Sequence, residues 1–442
     1  MFKTIVNAWK VAELRRKILF TIMVIIVFRI GSVIPVPFLN IEALQGLMGN
    51  LQEGNTLLAY LDTLSGGAFA QATLFAMSVQ PYIQSSIIMQ LMTVALPALE
   101  ALQKEGEEGR KKLTAITRYV TIALGLMQGT GYYLFLRNSK YSGTPIVKYV
   151  DGAEGVFTAI VIVLAFTAGT ALMMWLGEQI NVKGVGNGIS ILLFAGIVSK
   201  MPAMIQRLVY YVTLANQIPD VYGSYYIWVP VFVVVYLLMM LVIVFMNDAE
   251  RRIPIQYAKR TVGRKVYGGQ SSHIPLKIGL SGVMPIIFAS TILSLPSLVS
   301  FFMGTQEGFM KTMLDAMSIN GWLYPIMYFL LIIMFAYFYV AITYNPIEMA
   351  NNLRQSNATI PGIRPGKPTS DYLARVLSKV TFIGALFLAF IALFPIGFGH
   401  LSGMSHMLLG GTSIIILVGV ALETVKQMES QMMMRHYKGF LD

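Results

Sequence analysis

Long apolar segments recur along the whole chain and constrain its fold more than any other feature. Each has about the length that a helix needs to cross a bilayer, roughly 20 residues. Hydrophobic residues fill 56% of the 442 positions and charged residues 12%, a composition typical of polytopic membrane proteins. We therefore predict an all-α polytopic membrane protein with ten transmembrane helices. The predicted spans are 15–35, 73–96, 114–136, 154–176, 187–203, 226–246, 275–303, 321–344, 376–394 and 407–425.

Lysine and arginine are concentrated on one side of this predicted topology. With the N-terminus in the cytoplasm, 26 of the 33 fall on the cytoplasmic side and 6 on the other, and Arg29 lies within span one, where we expect it to pair or to snorkel. This bias predicts a multi-pass protein whose N- and C-termini are both cytoplasmic. It also accounts for the net charge of +12 without nucleic acid. The absence of cysteine excludes disulfides and thiolate metal sites.

The ten spans divide into two sets of five that resemble each other. Span two reads VQPYIQSSII from Val79 and span seven reads VMPIIFASTI from Val283, and GNGISILL in span five echoes GGTSIIIL in span ten. Because each half has an odd number of spans, the two halves insert with opposite orientation, and inverted repeats of this kind surround a working site. We predict two pseudo-symmetric halves around a central pore, residues 1–205 and 206–442.

The stretch Leu61–Leu96 is too polar and too interrupted to be an ordinary membrane anchor. Gly66–Gly67 disfavours a helix by about 2 kcal/mol. Farther along, Val79, Ile83 and Ile87 recur every four residues and therefore share one helix face. Amide and hydroxyl side chains that lipid would not accommodate lie beside this ladder: Gln80, Gln84, Ser85, Ser86 and Gln90. The pattern indicates the wall of a pore.

Two predicted cytoplasmic loops, 247–274 and 345–375, are longer than a bilayer connection requires. The first carries several basic residues among short strand-like runs. The second opens with a possible short helix and contains PGIRPGKP, in which prolines stiffen the tip and glycines permit sharp turns. This tip presents Arg364 in a restricted geometry.

Other functions are compatible with a polytopic helical protein, and the residues weigh against two of them. An inverted-repeat secondary transporter of a small solute normally keeps an ionisable residue near the bilayer midplane, and the predicted spans contain none there, with all four histidines in predicted loops or the tail. An intramembrane hydrolase lacks a base for the same reason. A third hypothesis is a passive scaffold for membrane assembly, and only a transport assay distinguishes it from a channel. The chain has no GxxxxGK[ST] loop, so we predict no ATPase activity and expect a partner to supply the energy. We also predict that the chain is not an enzyme and has no cofactor and no metal.

Several longer motifs resemble the SecY family of bacterial protein-conducting channels, in matching order from about residue 14 to about residue 430. These motifs are GGAFAQATLFA, PYIQSSII, GEQINVKGVGNGISILLFAGIV, YAKR followed by GGQSSHIPLK, PGIRPGKPT and GGTSIIILV. The resemblance implies a ten-helix clamshell of two halves around an hourglass pore. An aliphatic constriction and a plug close this pore, and it opens sideways between spans two and seven.

The resemblance also implies roles for individual residues. The pore constriction comprises Val79, Ile83, Ile189, Leu193, Ile287 and Ile416, with Ile87 beside it. The plug is about Tyr60–Gln71, including Leu64, Ser65, Gly66 and Gly67. The lateral gate includes Gln84, Ser85, Ile88 and Leu295. The docking surface for a motor or a ribosome comprises Arg364, Arg251, Arg252, Lys259, Arg260, Arg264 and Lys265. Val79 and Leu193 depart from the family's usual isoleucine, which changes the width of the ring but not its aliphatic character.

The function that the resemblance implies is the central subunit of the Sec protein translocase in the bacterial cytoplasmic membrane. Unfolded secretory polypeptides cross through such a channel, and transmembrane segments leave it sideways into lipid. The implied partners are the membrane subunits SecE and SecG, the ATPase SecA, the ribosome, signal peptides, unfolded preproteins and membrane lipids.

Overall fold

The chain is mostly helical. The computed structural model describes residues 2–54, 62–63, 65–257, 260–262, 265–267, 271–303, 316–317, 321–403 and 410–438. The helices in this part of the chain are α1 (Phe2–Lys10), α2 (Ala12–Gly31), α3 (Ile41–Gly54), α4 (Gln80–Ala95), α5 (Pro97–Lys104), α6 (Glu107–Asn138), α7 (Gly152–Lys183), α8 (Gly188–Ser199), α9 (Met201–Gln217), α10 (Pro219–Tyr222), α11 (Tyr225–Asp248), α12 (Met284–Met303), α13 (Leu323–Thr343), α14 (Pro346–Gln355), α15 (Lys367–Ser402) and α16 (Gly411–Lys438). The strands are β1 (Lys140–Tyr141), β2 (Thr144–Pro145), β3 (Glu250–Tyr257), β4 (Arg260–Val262), β5 (Lys265–Tyr267), β6 (Ser271–Lys277) and β7 (Ala358–Thr359).

Every predicted span contains a helix, but fewer than ten of the helices could cross a membrane by length and composition alone. Among the described residues six segments pass that test, and a seventh if α4 and α5, bent by 101°, count as one span. Helix α2 carries basic residues near both ends, and α6 is diluted by glycine, threonine and tyrosine, so their apolar character is weaker. The fold is that of a polytopic helical membrane protein, while the count of ten stays a prediction.

The predicted starts of spans two and seven are wrong, because in both cases an apolar turn precedes the helix. Residues 73–79 form turns, so α4 begins at Gln80 and not at residue 73. The seventh predicted span begins within β6, whereas α12 begins at Met284. Pro81 and Pro285 therefore lie in the first turns of their helices, where the missing N–H is not needed. Hydropathy does not reveal a turn that is itself built from apolar residues.

The contacts between helices occur twice in the molecule with the same pattern. In the first set α4 packs on α6, α6 on α7, α7 on α8, and α2 on both α7 and α8. In the second set α12 packs on α13, α13 on α15, α15 on α16, and α11 on both α15 and α16. The two sets meet where α8 packs against α16 and α6 against α12. The predicted division at 205/206 falls inside α9.

A small mixed domain consists of strands β3 to β7 and helix α14. We call the side of the molecule that carries this domain the basic face, because Arg251, Arg252 and Arg364 are exposed there. Strand β3 pairs with β6 on one edge and with β7 on the other, both antiparallel, and β4 and β5 form a separate hairpin. The sheet packs against α14 and the start of α15 through buried Ile253, Ile255, Leu276 and Leu373. These strands and α14 confirm the strand-like runs and the short helix that the two long loops predict.

Candidate functional site

A cavity of about 510 Å³ opens between the two sets of helices. Its apolar wall includes Leu193 of α8, Ile287 of α12 and Ile416 of α16, which come from both sets. Lys277, Glu423 and Lys426 also line it. Because a helix rises about 1.5 Å per residue, Lys426 lies roughly 15 Å along α16 from Ile416. The cavity therefore has charged groups toward the basic face and aliphatic side chains deeper inside.

The predicted constriction residues all belong to one apolar cluster. Val79, Leu193 and Ile416 are buried in it, as is the neighbouring Ile87. The partly buried members packed against it include Ile83, Ile189 and Ile287. Leu193, Ile287 and Ile416 are the constriction residues that line the cavity described above. Ile189 packs on α7, because a Cβ added to Gly177 would lie 2.5 Å from its Cδ1. Their action as a ring stays a prediction.

The internal repeat extends from the sequence to the backbone. Ser78 and Gly282, with φ of 51° and 59°, adopt the left-handed conformation immediately before Val79 and Val283. In both halves a valine and then a proline-containing first helical turn follow. Gly282 and Val283 line the cavity, and Val79, the equivalent of Val283, lies in the apolar cluster with the constriction residues.

Glycines at the starts of α8 and α16 form a second pair of equivalents. A Cβ on Gly188 would lie 1.9 Å from the Gly177 carbonyl oxygen, and one on Gly411 would lie 2.1 Å from the Ile391 carbonyl oxygen. Both helices therefore approach the backbone of the preceding helix too closely for any side chain. This close approach fixes where Leu193 and Ile416 stand, five residues beyond each glycine.

Part of the predicted plug lies within the described residues as a tight turn, residues 65–71, which we call the plug turn. Gly66 and Gly67 have φ of 67° and 95°. Ser65 is fully buried and its Oγ accepts the Phe69 N–H at 2.9 Å. The Tyr132 hydroxyl donates to the Phe69 carbonyl oxygen at 2.6 Å. Tyr60, Leu61 and Leu64 of the predicted plug lie outside the described residues.

The plug turn is attached to α2 and to the end of α8 by polar contacts. Arg29 donates from Nη1 to the Gly66 carbonyl oxygen at 2.9 Å, which confirms the expectation that this arginine pairs. Ser199 donates to the same oxygen at 3.3 Å. Asp62, 1% exposed, forms an ion pair with Lys200 at 2.5 Å.

Sequence reasoning missed Asp62, Ser199 and Lys200. The charge bias places Lys200 among the six basic residues on the side opposite the cytoplasm and gives it no partner. The one available signal was an acidic residue, Asp62, just before a buried glycine turn, a place where a charge requires a partner.

Gln84, Ser85 and Ile88 of the predicted lateral gate lie on α4, and Leu295 lies on α12. Gln84 and Ser85 contact α6. Ser85 is fully buried and donates to the Thr117 carbonyl oxygen at 2.7 Å. The Gln84 side chain contacts that of Gln128. Ile88 is 36% exposed, as is its repeat equivalent Ile292 on α12. The side chain of Leu295 lies outside the described residues. A gate between α4 and α12 stays a prediction.

Of the predicted docking residues, Arg251, Arg252 and Arg364 are exposed on the basic face. Arg251 and Arg252 lie on β3, and Arg252 pairs with Glu250 at 2.7 Å. Arg364 lies at the tip of the loop between β7 and α15. Its carbonyl oxygen accepts the Thr369 hydroxyl at 2.8 Å. Arg260 and Lys265 lie on β4 and β5, whereas Lys259 and Arg264 fall outside the described residues.

The histidines that the structure describes lie outside the segments able to span a membrane, as the sequence predicts. His273 is in β6 of the first long loop, and His400 is in α15 just beyond the apolar segment Lys367–Gly399. Hydropathy did not predict the ion pair between Asp62 and Lys200. His273, His400 and this ion pair are far apart along the chain. In the described residues, no three His, Cys, Asp or Glu side chains cluster as a metal site would require.

Two matching sets of helices around a cavity with an aliphatic wall and charged groups toward one face define the class of protein, a polytopic membrane channel. The family model for SecY matches residues 73–425. The protein translocase subunit SecY of Bacillus subtilis (strain 168) is 44% identical over 451 residues, and that of Streptomyces galbus is 43% identical over 448; each comparison covers 100% of both chains. The chain belongs to the SecY family. It is a protein-conducting channel subunit of the Sec translocase and not an enzyme.

Solved structures show the same fold at much lower identity. A structure described as a protein conducting channel matches with a TM-score of 0.62 and 15% identity, covering 94% of this chain and 92% of that one. Sec61 in the canine ribosome-channel complex matches with a TM-score of 0.59 at 15% identity and the same coverage. The fold is therefore shared over nearly the whole chain.

Proposed function

We propose that the cavity between the two halves is the path of an unfolded secretory polypeptide across the bacterial cytoplasmic membrane. The observation that carries this proposal is that Leu193, Ile287 and Ile416 line one cavity from both sets of helices. Leu193 and Ile416 occupy equivalent places in the internal repeat, as do Ile83 and Ile287. A path between two pseudo-symmetric halves is lined by residues of both halves.

An aliphatic ring suits a pore that passes many peptide sequences while it excludes ions. Aliphatic side chains offer no fixed hydrogen bonds that would retain a passing chain. A narrow apolar constriction also excludes water, and ions do not cross without their hydration shells. Val79, Ile83 and Ile189 complete the proposed ring, with Ile87 adjacent.

The plug turn is the second barrier in this proposal. It contacts α8 at Gly196 and Ser199, because a Cβ on Gly66 would lie 3.2 Å from the Gly196 Cα and 2.8 Å from the Ser199 Oγ. Ser199 lies six residues beyond Leu193, roughly 9 Å along the helix. The plug turn therefore lies on the side of the ring away from the basic face.

Transmembrane segments leave the channel sideways between α4 and α12 in this proposal. Apolar side chains gain about 25 cal/mol per Å² on leaving water, so a hydrophobic segment in the pore is driven toward lipid. The exposure of Ile88 and Ile292 at equivalent positions supports a seam there.

Binding partners act on the basic face, which we place in the cytoplasm together with both termini. The exposed arginines 251, 252 and 364 supply a surface for an acidic partner such as SecA, or for the ribosome. SecE and SecG are proposed as membrane subunits, because the relatives are named as subunits of a translocase.

The test replaces Ile416 or Ile287 with asparagine in the complete chain, reconstituted in vesicles with its translocase partners. The amide hydrates the ring, so we expect ion conductance and a relaxed requirement for an intact signal sequence. Ile416→Leu is the matched control and should keep both properties of the wild type. Unchanged conductance and unchanged signal selectivity in both asparagine variants would show that these residues do not line the path. Accumulation of a small solute by the wild type, with no polypeptide transport, would instead favour a transporter.

A further inference from the structure

The plug turn is joined to the rest of the molecule by a pair of opposite charges, of which the carboxylate is buried and the ammonium is partly buried. Asp62 Oδ2 contacts Lys200 Nζ at 2.5 Å, and Asp62 Oδ1 accepts the Ala70 N–H at 2.9 Å. Asp62 is 1% exposed and the Lys200 side chain is 17% exposed. One oxygen of the carboxylate therefore closes the turn, while the other joins the turn to another helix.

Lys200 occupies the junction between α8 and α9. It follows Ser199, the last residue of α8, and precedes Met201, the first residue of α9. A Cβ on Gly67 would lie 3.1 Å from Lys200 Nζ, so the ammonium rests on the plug turn itself. Helix α8 carries Leu193 and packs against α16 of the other half. Lys200 thus couples the plug turn to a helix that lies at the contact between the two sets of helices.

We infer that Asp62 and Lys200 form a latch that sets how strong a signal sequence must be to open this channel. The inference rests on the proposed function. It makes this ion pair a determinant of signal selectivity, separate from the aliphatic ring.

The physical reason is that a buried ion pair resists being half broken. Taking away one partner leaves an uncompensated charge in a poorly hydrated site, which costs far more than removing both. When the turn leaves its site, both charges become hydrated together. The pair therefore holds the turn in one position without making its release prohibitive.

The test uses Asp62→Asn, Lys200→Met and the double variant in the complete translocase. Asparagine keeps the oxygen that accepts the Ala70 N–H and loses the charge. Lys140→Met, at an exposed lysine of β1, is the matched control. Two quantities are measured: ion conductance in planar bilayers without a motor, and the ratio of translocation for a precursor with a shortened signal to that for an intact signal.

We expect each single variant to raise conductance and the signal ratio by at least about fivefold, the smallest change that a coupling of about 1 kcal/mol produces. The double variant should lie closer to the wild type than either single variant. The latch would be overturned if the single variants changed conductance and the signal ratio by less than twofold. It would also be overturned if the fold-change of the double variant equalled the product of the fold-changes of the two single variants.

Failed accumulation is also informative. Single variants that do not accumulate while the double variant does would support the coupling, whereas loss of all three would assign the pair to folding alone. A wild-type protein that translocates no precursor would refute the proposed function, while the conductance comparison would still decide the latch.

Discussion

The plug turn and the loop that carries Arg364 share a backbone conformation in opposite surroundings. Gly66 and Gly67 have φ of 67° and 95°, and Gly362 and Gly366 have φ of 80° and 97°. A Cβ at Gly66 would meet Ser199 and Gly196 within 3.2 Å, whereas nothing lies within 4 Å of one at Gly362 or Gly366. Glycine sets the shape of both turns, and the neighbours decide whether a turn closes a space inside the molecule or presents a side chain outside it.

The largest expected effect comes from the exposed turn. Arg364→Glu should reduce motor-driven translocation by roughly 30-fold or more, because reversing a charge in a docked contact costs about 2–5 kcal/mol. Thermal stability in detergent should hardly change, since an exposed charge contributes little to folding. Arg364→Lys should retain part of the activity, because it keeps the charge and loses the planar fork of donors.

The matched control for this prediction is Arg354→Glu, at an exposed arginine on α14. If Arg364→Glu translocates at the wild-type rate, Arg364 is not part of the docking surface. A protein that never accumulates would show that the loop is structural, and the comparison between the two turns would fail.

The second effect concerns the buried turn. Gly66→Ala combines a left-handed φ with contacts of 2.8 and 3.2 Å, so we expect the protein to lose about 2–3 kcal/mol of stability. The displaced turn should also raise ion conductance. Thermal melting in detergent and bilayer recording measure the two effects, and wild-type values in both would show that the turn adapts without cost.

A smaller effect is expected where a hydroxyl braces the exposed turn. Thr369→Val removes the hydrogen bond to the Arg364 carbonyl oxygen and should slow translocation roughly threefold to tenfold, as expected for about 1 kcal/mol. Thr359→Val is the control, because its hydroxyl makes only a 3.4 Å contact on an exposed strand. Equal rates in the two variants would mean that the brace does not position Arg364.

The smallest effect should come from Gly362→Ala. The alanine pays about 1 kcal/mol for its positive φ and meets no neighbour. We expect its melting temperature to fall by less than that of Gly66→Ala. A larger fall would indicate that backbone conformation, and not surroundings, dominates both turns.

The sequence predicts the repeated parts of the molecule well and the long-range polar contacts poorly. Apolar periodicity and the paired motifs at Val79 and Val283 place the helices and the halves, because both signals are local or repeated. The turn over residues 73–79 was missed because its side chains are as apolar as those of a span.

The polar contacts escape prediction for a different reason. Asp62 and Lys200 are 138 positions apart, and only the packing of the plug turn on α8 brings them together. Likewise, Ser85 faces α6 because of the way α4 is rotated about its axis. The sequence of α4 is apolar on most sides and does not specify this rotation. Composition therefore identifies the class of helix, and tertiary packing decides which way its polar groups turn.

The small sheet on the basic face continues almost to the start of α12. Strand β7, beside the Arg364 loop, is hydrogen-bonded to β3, and β3 is paired with β6 as far as Lys277. The next residue, Ile278, still donates to the Ala249 carbonyl oxygen at 2.9 Å, six positions before α12 begins. Backbone hydrogen bonds therefore run without a break from the strand beside Arg364 to Ile278. Only the turn over residues 279–283 separates this sheet from the start of α12, where Val283 and Ile287 border the cavity.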